Sequence, residues 1–153
     1  MKISVVIPLY NKKETVLRAL NSVLNQTVLP EEIIVVNDGS TDSSAQIVAQ
    51  FDHSLIRLVS QSNQGVSAAR NLGIAVAKHE WIAFLDADDE WLPKFLRTIT
   101  ELLENYPYCG VAATGYYMQD TTGHRERNHL NKLRFKGDHG IIDNYFQVAS
   151  CSH

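Results

Sequence analysis

An α/β fold, built on a mostly parallel sheet with helices on both faces, follows from three observations on the sequence. Short apolar runs recur without polar alternation, as strands buried on both sides require. Stretches with apolar residues at helical spacing separate these runs. Turns rich in Asn, Asp, Gly and Ser lie between the two kinds of segment. Strands alternating with helices imply right-handed βαβ units, and ligands in such sheets bind beyond the carboxyl ends of the strands.

The first strand is Ile3 to Ile7, stopped by Pro8. Asn11 and Glu14 have the spacing of a capping box, and Val16, Leu20, Val23 and Leu24 predict a helix over about residues 12–25. Ile33 to Val36 is the second strand; a polar turn from Asp38 to Asp42 leads to a helix through Ala45 to about Gln50. Ile56 to Val59 is the third strand. Beyond Gln61 to Gly65 comes a helix with an inner stripe of Ala69, Leu72, Gly73 and Val76. Trp81 to Leu85 is the fourth strand, running into Asp86-Ala87-Asp88-Asp89. Pro93 opens a further helix with Leu96, Ile99, Leu102 and Leu103 facing inward, and Cys109 to Thr114 reads as a fifth strand. The polar stretch from Gln119 to Gly140 is expected to be a long loop, and Ile141 to Ala149 a helix.

Composition bounds the function. With 153 residues, 44% hydrophobic and 20% charged, the chain is one folded domain rather than a disordered segment. A formal charge of −3 excludes the broad basic footprint that nucleic acid selects for. Cys109 and Cys151 make neither a metal cage nor a disulfide framework, which fits a reducing compartment. No apolar run reaches the roughly 20 residues that span a bilayer, and none resembles a signal peptide, so the expected location is the cytoplasm.

The densest chemical signal is Asp86-Ala87-Asp88-Asp89. Three carboxylates at one strand end repel one another unless a cation lies among them, and hard Mg²⁺ or Mn²⁺ suits one or two carboxylates plus phosphate oxygens and water. The alternative makes Asp89 or Glu90 the cap of the helix at Pro93. Asp38 lies at the end of a buried strand, where an acid faces the ligand cleft and accepts from a nucleobase or ribose; Gly39 to Asp42 read as a turn and helix cap. Arg70 is either a surface charge or a fork for phosphate or carboxylate. Tyr10 either stacks on a base or covers the core edge.

Four strings carry a resemblance: Ser4-Val5-Val6-Ile7-Pro8-Leu9-Tyr10-Asn11, Ile34-Val35-Val36-Asn37-Asp38-Gly39-Ser40-Thr41-Asp42, Asn63-Gln64-Gly65-Val66-Ser67-Ala68-Ala69-Arg70-Asn71-Leu72-Gly73 and Phe84-Leu85-Asp86-Ala87-Asp88-Asp89. In this order and spacing the sequence resembles family 2 glycosyltransferases of the GT-A fold, a Rossmann-like α/β/α sandwich. The resemblance implies a nucleotide-sugar donor, most often a UDP-sugar, with Asp38 on the uracil and Pro8, Leu9, Tyr10 and Asn11 around its pocket. It implies that Asp86-Ala87-Asp88 is the metal motif, with Asp86 near the ribose and sugar, Asp88 on Mn²⁺ or Mg²⁺, and Arg70 in the donor site. It further implies an inverting single displacement toward a glycan or lipid-linked acceptor, in bacterial cell-surface polysaccharide synthesis at the inner face of the membrane.

On this reading residues 1–118 form the donor region and 119–153 the start of an acceptor half that is mostly missing. The family's catalytic base is then expected beyond residue 153, because Asp120, Glu126, Asp138 and Asp143 sit in no recognisable motif. A dehydrogenase would need Gly-x-Gly-x-x-Gly after the first strand, and a Walker-type enzyme Gly-Lys-Ser/Thr; neither occurs. A phosphatase using one Asp as nucleophile, and a donor-binding module without turnover, are the competing readings.

Overall fold

The computed structural model describes residues 1–127. Met1–Gly110 form one compact unit, and a second begins at Val111. In the first, β1 (Ile3–Leu9), β2 (Glu32–Asp38), β3 (Ile56–Gln61) and β4 (Trp81–Phe84) make a parallel sheet in the order β3-β2-β1-β4. Between them run α1 (Val16–Leu24), α2 (Ser44–Gln50) and α3 (Val66–Val76), and α4 (Phe95–Asn105) follows β4.

Side chains of a strand alternate between faces, and here the two faces have separate cores. Val5, Ile7, Leu9, Ile33 and Val35 pack with Val16, Ala19, Leu20 and Val23 of α1 and Val48 of α2. Val6, Ile34 and Val36 pack with Ala69, Leu72 and Val76 of α3. Both faces of β1 and β2 are covered, which is why these strands read as unbroken apolar runs.

Several expectations are corrected. Asn11 and Glu14 form no capping box: Asn11 adopts a left-handed φ of 51°, and its Oδ1 accepts from the N–H groups of Thr41 (2.8 Å) and Asp42 (3.2 Å) instead. α1 consequently starts at Val16 rather than near residue 12. Neither Asp89 nor Glu90 caps α4, which begins two residues after Pro93 with Lys94 at its N-cap position. A donor near its first turn is satisfied from just past the end of α1, Leu96 N–H bonding Gln26 Oε1 at 3.0 Å. Leu96, Ile99 and Leu103 are buried as expected, and Leu102 is half-buried.

Residues 109–114 are not a strand. Their small side chains offer little to pack, and Val111 is 82% exposed. The expected loop from Gln119 begins instead as an antiparallel pair, β5 (Tyr117–Gln119) with β6 (Arg125–Arg127). Asp120 closes the turn by accepting from Thr122 N–H and Oγ1 and from His124 N–H. The rest of that stretch and the helix expected at Ile141 to Ala149 lie outside the described residues.

The contact between α3 and the sheet depends on one glycine. A Cβ placed on Gly73 would lie 2.3 Å from Val6 Cγ1. Alanine raises helix propensity by at most about 1 kcal/mol over glycine, whereas overpacking a close-packed core costs about 1–3 kcal/mol. Gly73→Ala is therefore expected to lower the urea midpoint of unfolding, and an unchanged or raised midpoint would show that α3 moves aside freely.

Candidate functional site

All three helices that follow strands β1 to β3 start at the carboxyl end of the sheet, so the loops between them gather there. Their stitching is dense. Asn11 N–H donates to Ser40 Oγ (3.1 Å), Lys12 N–H to Ser44 Oγ (2.9 Å) and Lys13 N–H to Asp42 Oδ2 (3.2 Å). Asp42, one residue before the N-cap position of α2 at Ser43, accepts from Ser44 N–H at 2.9 Å, with a further bond from the Ser44 hydroxyl. Gly39, at φ 68°, passes so close to the β3–α3 loop that a Cβ would lie 2.8 Å from Asn63 N.

Between these loops and the end of β4 is a cleft of about 360 Å³. Pro8, Leu9, Tyr10, Asp38, Asp86, Ala87 and Asp88 line it, together with Lys12, Asn63, Gly65, Val66 and Ala69. Tyr10 is 45% exposed and so is no lid on the core, whereas Leu9 is buried beneath the cleft. Arg70 stands beside the cleft on α3, and Asn11 serves the turn after β2 rather than the cleft wall.

Asp38 ends β2 and is 3% exposed. Its Oδ1 accepts from Gln61 Nε2 at 2.7 Å and Gln64 N–H at 2.9 Å, and its Oδ2 from Gly65 N–H at 2.8 Å. Burial pushes this carboxyl up, but the three donors outweigh it and hold it below its ordinary value. An ionised carboxylate has about four acceptor sites, so one direction remains for a ligand donor.

The acid loop after β4 turns tightly, Asp89 N–H meeting Asp86 C=O at 3.0 Å. Cations already attend it. Arg70 Nη2 lies 2.6 Å from Asp86 Oδ1, with its guanidinium 5.9 Å from the Phe84 ring centre. Lys12 Nζ lies 2.6 Å from Asp88 Oδ2. The bond from Lys12 holds the Asp88 carboxyl below its ordinary range. Partial burial, and then the charges of Asp88 and Asp86, push Asp89 up. The repulsion expected from three crowded acids is thus real, but side chains supply part of the answer. Among the described residues no group of three or more His, Cys, Asp or Glu side chains converges as a metal cage.

Sequence reading missed Lys12, which follows the Tyr-Asn pair and had no partner visible along the chain. It also missed how the acid loop is held. Arg18 Nη2 donates to Asp88 C=O (2.5 Å), Ser22 Oγ accepts from Trp91 N–H (3.1 Å) and Gln26 Nε2 donates to Leu92 C=O (2.8 Å). Arg18 and Ser22 lie four residues apart on one side of α1, and Gln26 follows just past its end.

Comparison with known proteins places this geometry. The profile described as Glycosyl transferase family 2 matches residues 4–151. The chain belongs to glycosyltransferase family 2. Among curated relatives of this family 2 chain is an uncharacterized glycosyltransferase of Nostoc sp., alr2836, 45% identical over 114 residues, which covers 72% of the chain and 35% of the relative. The succinoglycan biosynthesis protein ExoO of Rhizobium meliloti is 38% identical over 100 residues, covering 65% and 29%. The structure of S. aureus TarS 1–349 in complex with UDP-GlcNAc matches with a TM-score of 0.64 and 30% identity, over 70% of this chain and 32% of that one. The fold is therefore GT-A, and the chain spans about a third of the length of the relatives it matches. No helix among the described residues is long and apolar enough to cross a membrane.

The Asp38 bonds generate a pH prediction. A carboxyl held below its ordinary value of 3.8 contributes stability that is complete above that pH and is lost as pH falls through the folded value. Asp38→Asn is expected to cost on the order of 1.5–3 kcal/mol near neutral pH and to flatten the acid limb of the stability profile. Urea titrations from pH 7 to pH 3 measure both, and parallel profiles would show that the ionised form is not what the loop requires.

Proposed function

We propose that this chain forms the donor-binding half of an inverting glycosyltransferase that moves a sugar from a UDP-sugar to an acceptor hydroxyl. The observation that carries the reading is the cleft at the carboxyl end of the sheet, where two half-exposed carboxylates, Asp86 and Asp88, stand beside Arg70 and Lys12. Within it, Tyr10 and Pro8 offer an apolar wall for a base, and Asp38 its remaining acceptor direction. Arg70, paired with Asp86 beside the cleft, carries a fork suited to a diphosphate as well. TarS, a GT-A relative in structure, holds UDP-GlcNAc, which supports a uridine nucleotide here.

The acid pair also fits Mg²⁺ or Mn²⁺. Asp86 and Asp88 give the one or two carboxylates such ions take, their side chains being 44% and 46% exposed and both on the cleft. A bound ion supplies neutralisation of the charge that grows on a departing diphosphate. We place the general base toward the acceptor in the acceptor half of the protein; of the late acids, Asp120 already uses its Oδ1 to close its own turn. ExoO acts in succinoglycan biosynthesis by its name, which supports a role in polysaccharide synthesis; to this we add a glycan or lipid-linked acceptor and work at the inner membrane face.

Calorimetric titration with UDP and a panel of UDP-sugars, with Mn²⁺ or with chelator, tests this. UDP is expected to bind at least tenfold more tightly with metal, and Asp88→Asn to remove that difference while the fold persists. Equal UDP affinity in the parent with and without metal would sink the metal assignment. No affinity for any UDP compound would sink the donor reading.

A further inference from the structure

The two cations at the acid loop are held in different ways. Arg70 comes from the middle of α3, where it bonds Asp86 and sets its planar guanidinium 5.9 Å from the Phe84 ring centre. Lys12 is fixed only at its backbone. Its N–H donates to Ser44 Oγ (2.9 Å), and its C=O accepts from Thr15 (3.1 Å) and Val16 (2.9 Å) at the start of α1. From that anchor a flexible stem, with the side chain 41% exposed, reaches across the cleft mouth to Asp88. Lysine ends in a compact charge with three rotatable donors, so it exchanges partners more readily than the planar fork of arginine.

The geometry points to Lys12 as an exchangeable counter-ion of the site: its ammonium neutralises Asp88 while the cleft is empty and turns onto the donor diphosphate once a divalent cation is bound at Asp88. This rests on the proposed metal and nucleotide reading. The exchange follows from charge and reach. A divalent cation on Asp88 opposes the ammonium that now lies 2.6 Å from Oδ2. Phosphate oxygens entering the same cleft offer that ammonium a new acceptor, and its main chain need not move. Lys12 thereby competes with metal in the empty site and assists the nucleotide in the filled one, so its removal acts on the two affinities in opposite directions.

The test is Lys12→Gln, with Lys12→Arg as the charge-conserving control, in the chain as it stands. Mn²⁺ binding without nucleotide is read by the electron paramagnetic signal of free Mn²⁺, and UDP binding at saturating Mn²⁺ by calorimetry. Lys12→Gln is expected to bind Mn²⁺ about two- to fivefold more tightly, the scale of an exposed ion pair, and to bind UDP at saturating Mn²⁺ about three- to tenfold more weakly. Lys12→Arg is expected to restore UDP affinity to within about twofold of the parent, since the charge is kept. Both shifts are required: Mn²⁺ affinity unchanged in Lys12→Gln, or UDP affinity unchanged, overturns the exchange while leaving the metal reading intact. A parent that binds no Mn²⁺ with or without UDP removes the metal from the proposed function, and the exchange with it.

Discussion

Two buried carboxylates at the ends of one strand fix the part of the fold on which the cleft depends. Glu32, Ile34, Val36 and Asp38 share the α3 face of β2 by simple alternation. The two apolar residues pack on α3, and the two acids hold its ends. Asp38 takes the N–H groups of Gln64 and Gly65, before the first turn. Glu32 takes Lys78 N–H at 2.6 Å after the last turn, with Ser4 Oγ at 2.7 Å. Arg57, next to Glu32, donates to Val76 C=O at 2.5 Å. Six strand intervals of about 3.3 Å span roughly 20 Å, ten helical rises of about 1.5 Å in α3 span roughly 15 Å, and the non-helical Gly65, Ala77 and Lys78 on either side make up the difference. Burial pushes Glu32 up, yet its donors and the Arg57 charge hold it down, so both clamps work as ionised groups. Arg70 inherits its position from them.

That arrangement explains what could and could not be read along the chain. The strands were legible because burial on two faces leaves a plain apolar run, and the α3 stripe because Ala69, Gly73 and Val76 keep helical spacing. Asp38 stood out as an acid at a buried strand end, but its three protein donors did not. They come from residues 61 to 65, and only the pairing of β2 with β3, which sets Asp38 beside Gln61, brings them there. Asn11 misled for a related reason. Its side chain had a local use at hand, a capping box with Glu14, and took a distant one across the loops. Residues 109–114 misled because a short run of small apolar residues carries no information on whether a partner strand is present.

The acid loop shows a second kind of illegibility. To present carboxylates it leaves regular structure after Phe84, and its main-chain groups then need partners from elsewhere. Arg18 and Ser22 provide some of them from the polar side of α1, whose opposite face, Val16, Ala19, Leu20 and Val23, is buried, and Gln26 provides another just past its end. On the sequence, Arg18 and Ser22 look like the solvated side of an amphipathic helix and Gln26 like a polar residue past its end. Gln26 is in fact 6% exposed and satisfied at both ends of its amide, toward Leu92 C=O and Leu96 N–H. A buried amide so satisfied specifies one placement of the loop, since any shift strands a polar group.

Holding the loop through its main chain leaves its charges unspent. The pairs Lys12–Asp88 and Arg70–Asp86 are both more than a third exposed, and such pairs stabilise a fold by about 1 kcal/mol or less. Had they been the loop's anchor, any ligand that drew on the carboxylates would also have loosened the structure that presents them. Here the two tasks fall on different atoms. Hydrogen bonds between the loop's main chain and Arg18, Ser22 and Gln26 set where the carboxylates stand, and the ion pairs only limit the repulsion that, after partial burial, pushes Asp89 upward. A bound cation or diphosphate can then rearrange the charges of this site without disturbing the bonds that shape it.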